Sequence, residues 1–451
     1  MKNDRFISLA AIRGMEFDLK YLAKRGGLFY VIILCLAVFL AFYPSLTNDF
    51  QWEWDDQWMV LQHPMILDHS FENLWYYFTH YDIGQYFPLN QLYYLGIYGL
   101  FGFSPTAFHW GSLLLHLFNT LLVFYLVRII AGMITGHKNR ININGIAGLV
   151  ALIFAIHPLQ VEAVAWISAS KVLLYTTFTL GCLISYLYYK RNHNIIFLIL
   201  TFVGYILSLM TKEQAIILPL NLVLMDFVLH SYGKVKFSGK VLLEKTPFFI
   251  LAILFWYWSV QNDLGVVDLE MAYSWDKRLV FGSYSLIVYV IRFMVPVNLL
   301  YFYGFPIVVG ESLSWFYFSY VILGFLFLLY LVDLYRSKRY MPFFGLLFFL
   351  INISLVLHIL PMPRTMITAD RYMYLSIVGL SVWGVWGLYR LYHMIPKITW
   401  IRYGLVTGLG VLLIGFVIYS NVLTRKWESS DTIKQEVRNY LQPAIFKKQN
   451  E

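Results

Sequence analysis

The sequence predicts an all-α polytopic membrane protein, and three observations carry that reading. Hydrophobic residues make up 59% of the 451-residue chain and charged residues 13%, about half the charged share of a soluble protein. Too few polar side chains remain to coat a water-facing surface. Apolar runs long enough to cross about 30 Å of hydrocarbon recur along the chain, with Lys and Arg gathered in short clusters between them. Aromatic residues reach 19%, in keeping with the preference of Trp and Tyr for the membrane–water interface. Length alone would have suggested two or three soluble domains. The net charge of +9 does not indicate nucleic acid, because the basic clusters sit where they orient spans. Cys35 and Cys182 both lie inside apolar runs and imply no disulfide framework.

The first apolar run, Leu28 to Leu46, holds no charge. Lys2, Arg5, Arg13, Lys20, Lys24 and Arg25 precede it, which predicts a cytoplasmic segment 1–27. That lead is too long for a signal peptide and no small-residue cleavage site follows, so the run is expected to be an anchor. Residues 47–106 contain Asp49, Glu53, Asp55, Asp56, Asp68, Glu72 and Asp82 and no Lys or Arg, the composition of an outer loop. Within it Phe71, Leu74, Trp75 and Phe78 fall at helical spacing, which predicts an amphipathic helix over 71–81 lying on the membrane surface. Residues 88–102 are apolar but short for a span, and are expected to be a second interfacial or re-entrant piece.

Beyond the loop, the basic clusters mark every second turn. Spans near 107–130, 172–189, 215–232, 313–333 and 372–389 run inward, each ending near Lys or Arg. Spans near 143–157, 195–210, 246–262, 341–360 and 401–420 run outward. With the first run these make about eleven spans in a domain 28–423, followed by a short non-cytoplasmic tail, 424–451. Residues 279–304 are apolar enough to cross but contain Arg292 and Pro296. A crossing there would invert every later loop, so a re-entrant or interfacial helix is expected. No internal repeat or low-complexity tract is visible.

Charges are costly in bulk lipid, so the informative ones stand at the outer ends of spans. These are Trp54-Asp55-Asp56, His157-Pro158 with Glu162, Lys171, Lys212-Glu213, and Arg364 with Asp370-Arg371. Acids alternate with bases, a set able to hold a phosphate while a carboxylate accepts a proton. Each also has a plain structural explanation. The acidic pair suits any acidic outer loop, and His157-Pro158 suits a helix end, because Pro cannot continue a helix. Lys212-Glu213 suits a local ion pair, and Arg364 and Arg371 can snorkel to headgroups. His109, His116 and Asn119 share one helix face and fit interhelical hydrogen bonds better than metal ligation.

Taken in order, these residues resemble a known family. Asn48-Asp49-Phe50, Trp54-Asp55-Asp56, His63-Pro64, Phe87-Pro88-Leu89, Gly102-Phe103-Ser104-Pro105, Phe108-His109 and Leu115-His116 with Asn119 come first. FAIHPLQVEAVAWIS (154–168), LSLMTKEQ (207–214) and Ala369-Asp370-Arg371-Tyr372-Met373-Tyr374 follow. The series is similar to the multi-span part of the transmembrane and tetratricopeptide-repeat-containing O-mannosyltransferases and their bacterial relatives, over roughly 46–230 and 361–380. The resemblance implies a GT-C-like glycosyltransferase that moves a sugar from a polyprenyl-phosphate carrier to a protein or glycolipid hydroxyl on the non-cytoplasmic side, by single displacement with inversion. It implies Asp55 first and Asp56 second as the catalytic carboxylate, with Glu162 as a supporting acid. Lys171, Lys212, Arg364 and Arg371 become candidates to hold the donor phosphate, and His157, Glu213, His109, His116 and Asp370 supporting groups. A divalent cation, Mg or Mn, stays open, since carboxylates alone do not define an ion site.

Two departures from the family pattern stand out. The repeats that follow the last span in long-tailed relatives have no counterpart in 424–451, so acceptor recognition by repeats is expected to be lost or delegated to an accessory subunit. Where relatives often show an Arg-Lys-Asp run, this chain has Ala169-Ser170-Lys171-Val172, which leaves the donor sugar open. The short loops favour a bacterial inner membrane, with active site and C-terminus periplasmic. The competing expectation is a lipid-linked sugar transporter or flippase, or a non-catalytic scaffold. A transporter should show charges deep in its spans and duplicated halves. Arg292 is the clearest such charge, and no duplication is apparent.

Overall fold

In hydrocarbon a backbone must satisfy its own N–H and C=O groups, and a long apolar run does so as a helix. The computed structural model describes residues 27–438 except 69, 83, 136–141, 237, 263–272, 308–309, 361–365 and 396–398. Its described residues form helices and turns and no β-strand. The first run is helix α1 (Gly27–Phe42), which tightens into a 3₁₀ turn at Tyr43–Thr47 where Pro44 enters. The outer loop carries α2 (Phe71–Thr79) and α3 (Pro88–Phe101). There follow α4 (Pro105–Thr135), α5 (Ile143–Ile156), the short α6 (Val161–Ala165), α7 (Ser170–Asn192), α8 (Ile195–Leu209) and α9 (Leu218–Ser231). The chain continues through α10 (Thr246–Gln261), α11 (Trp275–Met294), α12 (Phe318–Arg336), α13 (Tyr340–Ile353), α14 (Met373–Met394) and α15 (Thr399–Arg425).

Among the described residues, eight helices are long and apolar enough to cross a membrane, and nine if the bent pair Ile143–Ile156 and Pro158–Ala165 counts as one span. Two shorter apolar helices, Ile195–Leu209 and Tyr340–Val356, stand where two more spans are expected. Every one of the eleven expected runs is therefore helical, and the chain is an integral membrane protein.

Local chemistry sets the breaks. Asn142 caps α5, its Oδ1 accepting from Gly145 N at 2.9 Å. At the other end His157 turns extended, its Nδ1 accepts from Leu159 N at 3.2 Å, and Pro158 forces a 56° bend. α7 and α8 pack as a hairpin with His193 left-handed between them and Asn194 capping the return. α13 and α14 cross at Gly345 and Gly379. A Cβ on Gly345 would lie 2.5 Å from the Gly379 carbonyl oxygen, the close approach that small residues permit between membrane helices.

The amphipathic helix falls at Phe71–Thr79. Phe71 and Trp75 are exposed and stacked on each other, centroids 6.5 Å apart, while Tyr77 faces inward. The segment expected over 279–304 begins earlier, as the 20-residue α11, and becomes irregular after Met294. Along its length Phe281 packs with Tyr303 and Ile367, Ser285 bonds Ile367 O, Ala369 N bonds Tyr289 OH, and Arg292 bonds Thr368 Oγ1. It thus runs beside 303–307 and 367–369, along one end of the bundle.

The N-terminal basic group, Lys138, Arg140, Arg364 and Lys397 lie outside the described residues. Of the tail, 424–438 is described and folds back over the outer loop. Asn48 Nδ2 donates to Thr424 O at 3.0 Å, Asp49 N to Glu428 O at 2.9 Å, and Gln51 Nε2 to Trp427 O at 2.9 Å.

Candidate active site

The stretch 162–171 forms the spine of the site, because the bend after α5 returns the chain to the bundle end without crossing it again. Glu162 sits in the first turn of α6 and is buried. Its Oε2 accepts the Arg371 backbone N–H at 2.7 Å and its Oε1 pairs with Arg371 Nη1. The guanidinium lies over Trp166 and Tyr372, 5.2 and 5.0 Å from the ring centroids. Arg371 follows Asp370 in a 3₁₀ turn that opens α14. Asp370 is buried as well, takes 3.2 Å hydrogen bonds from Tyr303 OH on both oxygens, and lies 3.6 Å from Arg292 Nη1. Arg292 in turn covers the Tyr303 ring at 3.6 Å.

Asp55 and Asp56 divide by environment. Asp56 is 0% exposed. Its Oδ2 accepts from Gln51 N at 2.9 Å, and its Oδ1 from Ser168 N at 2.9 Å and from the Ser168 hydroxyl. Burial pushes its carboxyl up to about 6, with the Ser168 and Gln51 donors opposing that shift. Asp55 is half-buried and near enough to Arg371 for their charges to interact. Asp56 therefore clamps the outer loop to 167–169, and Asp55 stays within the range of charge interaction with Arg371.

The candidate lysines form a second grouping around 81–88. Lys171 Nζ donates to Gln85 Oε1 at 2.9 Å and stands 5.5 Å from the Phe87 ring centroid. Leu89 N donates to Met210 O at 3.1 Å, which draws the Lys212-Glu213 turn against this loop, and the Glu213 charge reaches the Tyr81 phenol. Tyr81 and Tyr86 each contact Trp258 of α10 with ring centroids 4.7 Å apart. Next to Lys171 in the chain, Ser170 donates from its hydroxyl to Tyr94 OH at 2.8 Å.

Two of the supporting histidines, His157 and His116, have hydrogen-bond partners. His157 donates from Nε2 to Phe293 O at 3.0 Å and stacks on the Phe293 ring, next to Arg292. His116 donates from Nε2 to Ala155 O at 2.9 Å and accepts at Nδ1 from Tyr374 OH at 2.7 Å. His109 is buried, and among the described residues neither ring nitrogen has a hydrogen-bond partner. Asn119 Nδ2 donates to Leu173 O at 2.9 Å.

Among the described residues no three His, Cys, Asp or Glu side chains gather as they would around an ion. Asp56 and Glu162 have both oxygens committed to protein donors.

Sequence reasoning did not assign Arg292, Tyr303, Ser168, Gln85 or Trp166 to the site. Only Arg292 carried a signal, as a cation inside an apolar run. No protein-family model matches the chain. A protein O-mannosyl-transferase of Caenorhabditis elegans is 24% identical to it over 220 residues, 48% of this chain and 30% of that protein. The chain thus spans about a third of the length of the curated relative it matches, and its similarity to a protein O-mannosyl-transferase is a distant one.

Proposed function

We propose that this protein is a membrane glycosyltransferase that moves a sugar from a polyprenyl-phosphate carrier to a hydroxyl of a protein or glycolipid acceptor. The observation that carries this reading is the convergence of Asp55, Glu162 and the Asp370-Arg371 turn from three distant parts of the chain. The distant likeness to a protein O-mannosyl-transferase supports the same chemistry.

In this reading the acceptor oxygen attacks the anomeric carbon while the bond from that carbon to the carrier phosphate breaks on the opposite face. The configuration inverts, and Asp55 takes the hydroxyl proton. A carboxylate is a weak base for a ground-state alcohol. Its contribution comes as the oxygen acidifies in an oxocarbenium-like transition state, a gain of about 10²–10⁴-fold. Asp56 holds the loop in place. Glu162 keeps Arg371 oriented beside Asp55. Lys171 and Lys212 hold the leaving phosphate, where cationic donors stabilise its charge in a site with little water, and Tyr81, Tyr86, Phe255 and Trp258 provide an aromatic bed for the first isoprene units. The protein belongs in this reading to a bacterial inner membrane, with N-terminus cytoplasmic and the site periplasmic.

The test is glycopeptide and glycolipid mass spectrometry on a deletion strain, complemented with wild type or Asp55→Asn at matched membrane abundance. Wild type should restore a sugar mass that the variant does not, and the modified molecule identifies acceptor and sugar. Equal restoration by the variant would sink the assignment.

A further inference from the structure

His63 follows the acidic pair in the outer loop, and the reaction as described gives it no part. Its side chain is fully buried, with the rings of Tyr77 and Phe87 at 4.9 and 6.4 Å between centroids. Its Nδ1 accepts the Met65 N–H at 3.2 Å and caps the turn Pro64–Leu67. The ring proton therefore sits on Nε2, which donates to Asp82 Oδ2 at 2.7 Å. Asp82 opens a tight turn. Its N–H donates to Gln85 O and the Gln85 N–H to Asp82 O, both at 2.9 Å, and Gly84 within the turn is left-handed, with φ at 66°. From this turn Gln85 Oε1 accepts from Lys171 Nζ at 2.9 Å, and the Phe87 ring lies 5.5 Å from the same ammonium. An unbroken series of contacts leads from a buried imidazole to a candidate phosphate-holding cation.

A lysine carries its charge on a flexible four-carbon stem, so a fixed direction for the ammonium has to come from its neighbours. Here one such neighbour stands on a turn closed by two backbone bonds, too little structure to hold itself in water. The His63–Asp82 bond pegs that turn to the buried part of the loop. Tyr81 and Tyr86, which flank it, are also held from the other side by Trp258 and Phe255, and Tyr86 OH donates to Phe78 O at 2.9 Å. What depends most on the peg is the placement of Gln85. We propose that His63 and Asp82 are positioning residues for carrier recognition: the pair sets Gln85, and Gln85 aims Lys171 at the carrier phosphate. This rests on the transferase reading above, in which Lys171 holds that phosphate.

The test measures binding of bare polyprenyl phosphate and of uncharged polyprenol to the full chain in proteoliposomes. Two amides separate the two roles of the imidazole, since the Asn amide reaches the place of Nδ1 and the Gln amide that of Nε2. His63→Asn, which keeps the Met65 cap and loses Asp82, should raise the Kd of polyprenyl phosphate about tenfold, or 1.4 kcal/mol. It should leave the Kd of polyprenol within about twofold. His63→Gln should recover most of the affinity. Asp82→Ala should match His63→Asn, and it carries the test if the buried substitution does not fold, because the Asp82 side chain is 23% exposed. Variants that act through one ammonium are not additive, so neither should weaken binding further in a Lys171→Ala background. Unchanged phosphate binding in Asp82→Ala, equal weakening of both ligands, a full added effect on Lys171→Ala, or recovery with Asn rather than Gln would each overturn the inference while leaving the transferase reading intact. Wild type that binds the sugar-loaded carrier without transferring sugar would defeat that reading, and the phosphate-selective loss in Asp82→Ala would still sustain the positioning pair. Lys171→Ala that binds polyprenyl phosphate as wild type does would overturn the inference, and wild type that binds no carrier defeats both.

Discussion

Two adjacent carboxylates with the same side chain are set apart here by what they touch. Asp56 has no exposed surface and three donors, whereas Asp55 is half-buried within the range of charge interaction with Arg371. Asp55→Asn should therefore lower transfer by about 10²–10⁴-fold at an unchanged thermal midpoint in detergent, and Asp56→Asn should lower the midpoint as well as activity. The pH dependence separates them further. The Asp56 carboxyl is raised from 3.8 to about 6, so between those values the folded protein binds more protons than the unfolded chain. Stability from this group is present below about pH 4 and is lost as pH rises through about 6. Wild type measured against Asp56→Asn should show that decline in its thermal midpoint from pH 4 to 6 and a flat difference above it. A difference that rises across this window would mean that the Ser168 and Gln51 donors outweigh burial. The acidic pair was legible in the sequence, but its division of labour was not. The partner that decides it, Ser168, lies 112 positions away, and no local pattern reports a contact over that distance.

Helices were the most legible level, because apolar runs and their basic flanks report solvent directly. What escaped was how helices meet. α11 was expected, over 279–304, as a re-entrant or interfacial helix. It is a 20-residue helix whose side chains run along 303–307 and 367–369 and bring Arg292 to Asp370. A cation in an apolar run marked a cost; only the fold supplies the carboxylate that offsets it. The α13–α14 crossing was equally invisible, since glycines at 345 and 379 read as ordinary apolar positions. Their backbones approach so closely that a single Cβ at either glycine would collide with the facing carbonyl. Gly345→Leu should therefore cost about 1–3 kcal/mol or more by overpacking. Because α14 begins at Met373, two residues after Arg371, it should also disturb the Glu162–Arg371 pair. Thermal unfolding in detergent and the transfer assay should fall together for this variant. At Gly384, where a Cβ would meet nothing within 4 Å, Leu should be tolerated in both measurements.

Across the whole molecule, charge is segregated to the two ends of the bundle. α7 runs from Ser170 to Asn192, 23 residues or about 34 Å of helix, close to the thickness of the hydrocarbon core. Lys171 at its start belongs to the candidate site. Near its end Lys190 joins a buried network in which Lys190 meets Glu244 Oε2 at 2.5 Å and Asp226 Oδ1 at 3.4 Å, Lys245 pairs with Asp226, and Tyr186 donates to Asp226 Oδ2 at 2.6 Å. Its two lysines and two acids neutralise one another, which lets them stay buried. Arg191 and Arg336 stand in the last turns of α7 and α12, and Lys234, Lys236, Lys338 and Arg339 follow α9 and α12; by the positive-inside rule the proposed topology puts this end in the cytoplasm. The acidic outer loop and the site then face the opposite compartment. Single cysteines make that arrangement testable. Ser70→Cys, in the exposed turn before α2, and Ser337→Cys, in the exposed turn after α12, would be introduced with Cys35 and Cys182 replaced by Ala. A membrane-impermeant maleimide should label Cys introduced at 70 in intact cells, and Cys introduced at 337 only after permeabilisation. The reverse pattern would put the carboxylates on the cytoplasmic face and refute the proposed topology. Labelling of both in intact cells would place an odd number of crossings between 70 and 337 in doubt, and with it the assignment of α11 to the site end of the bundle.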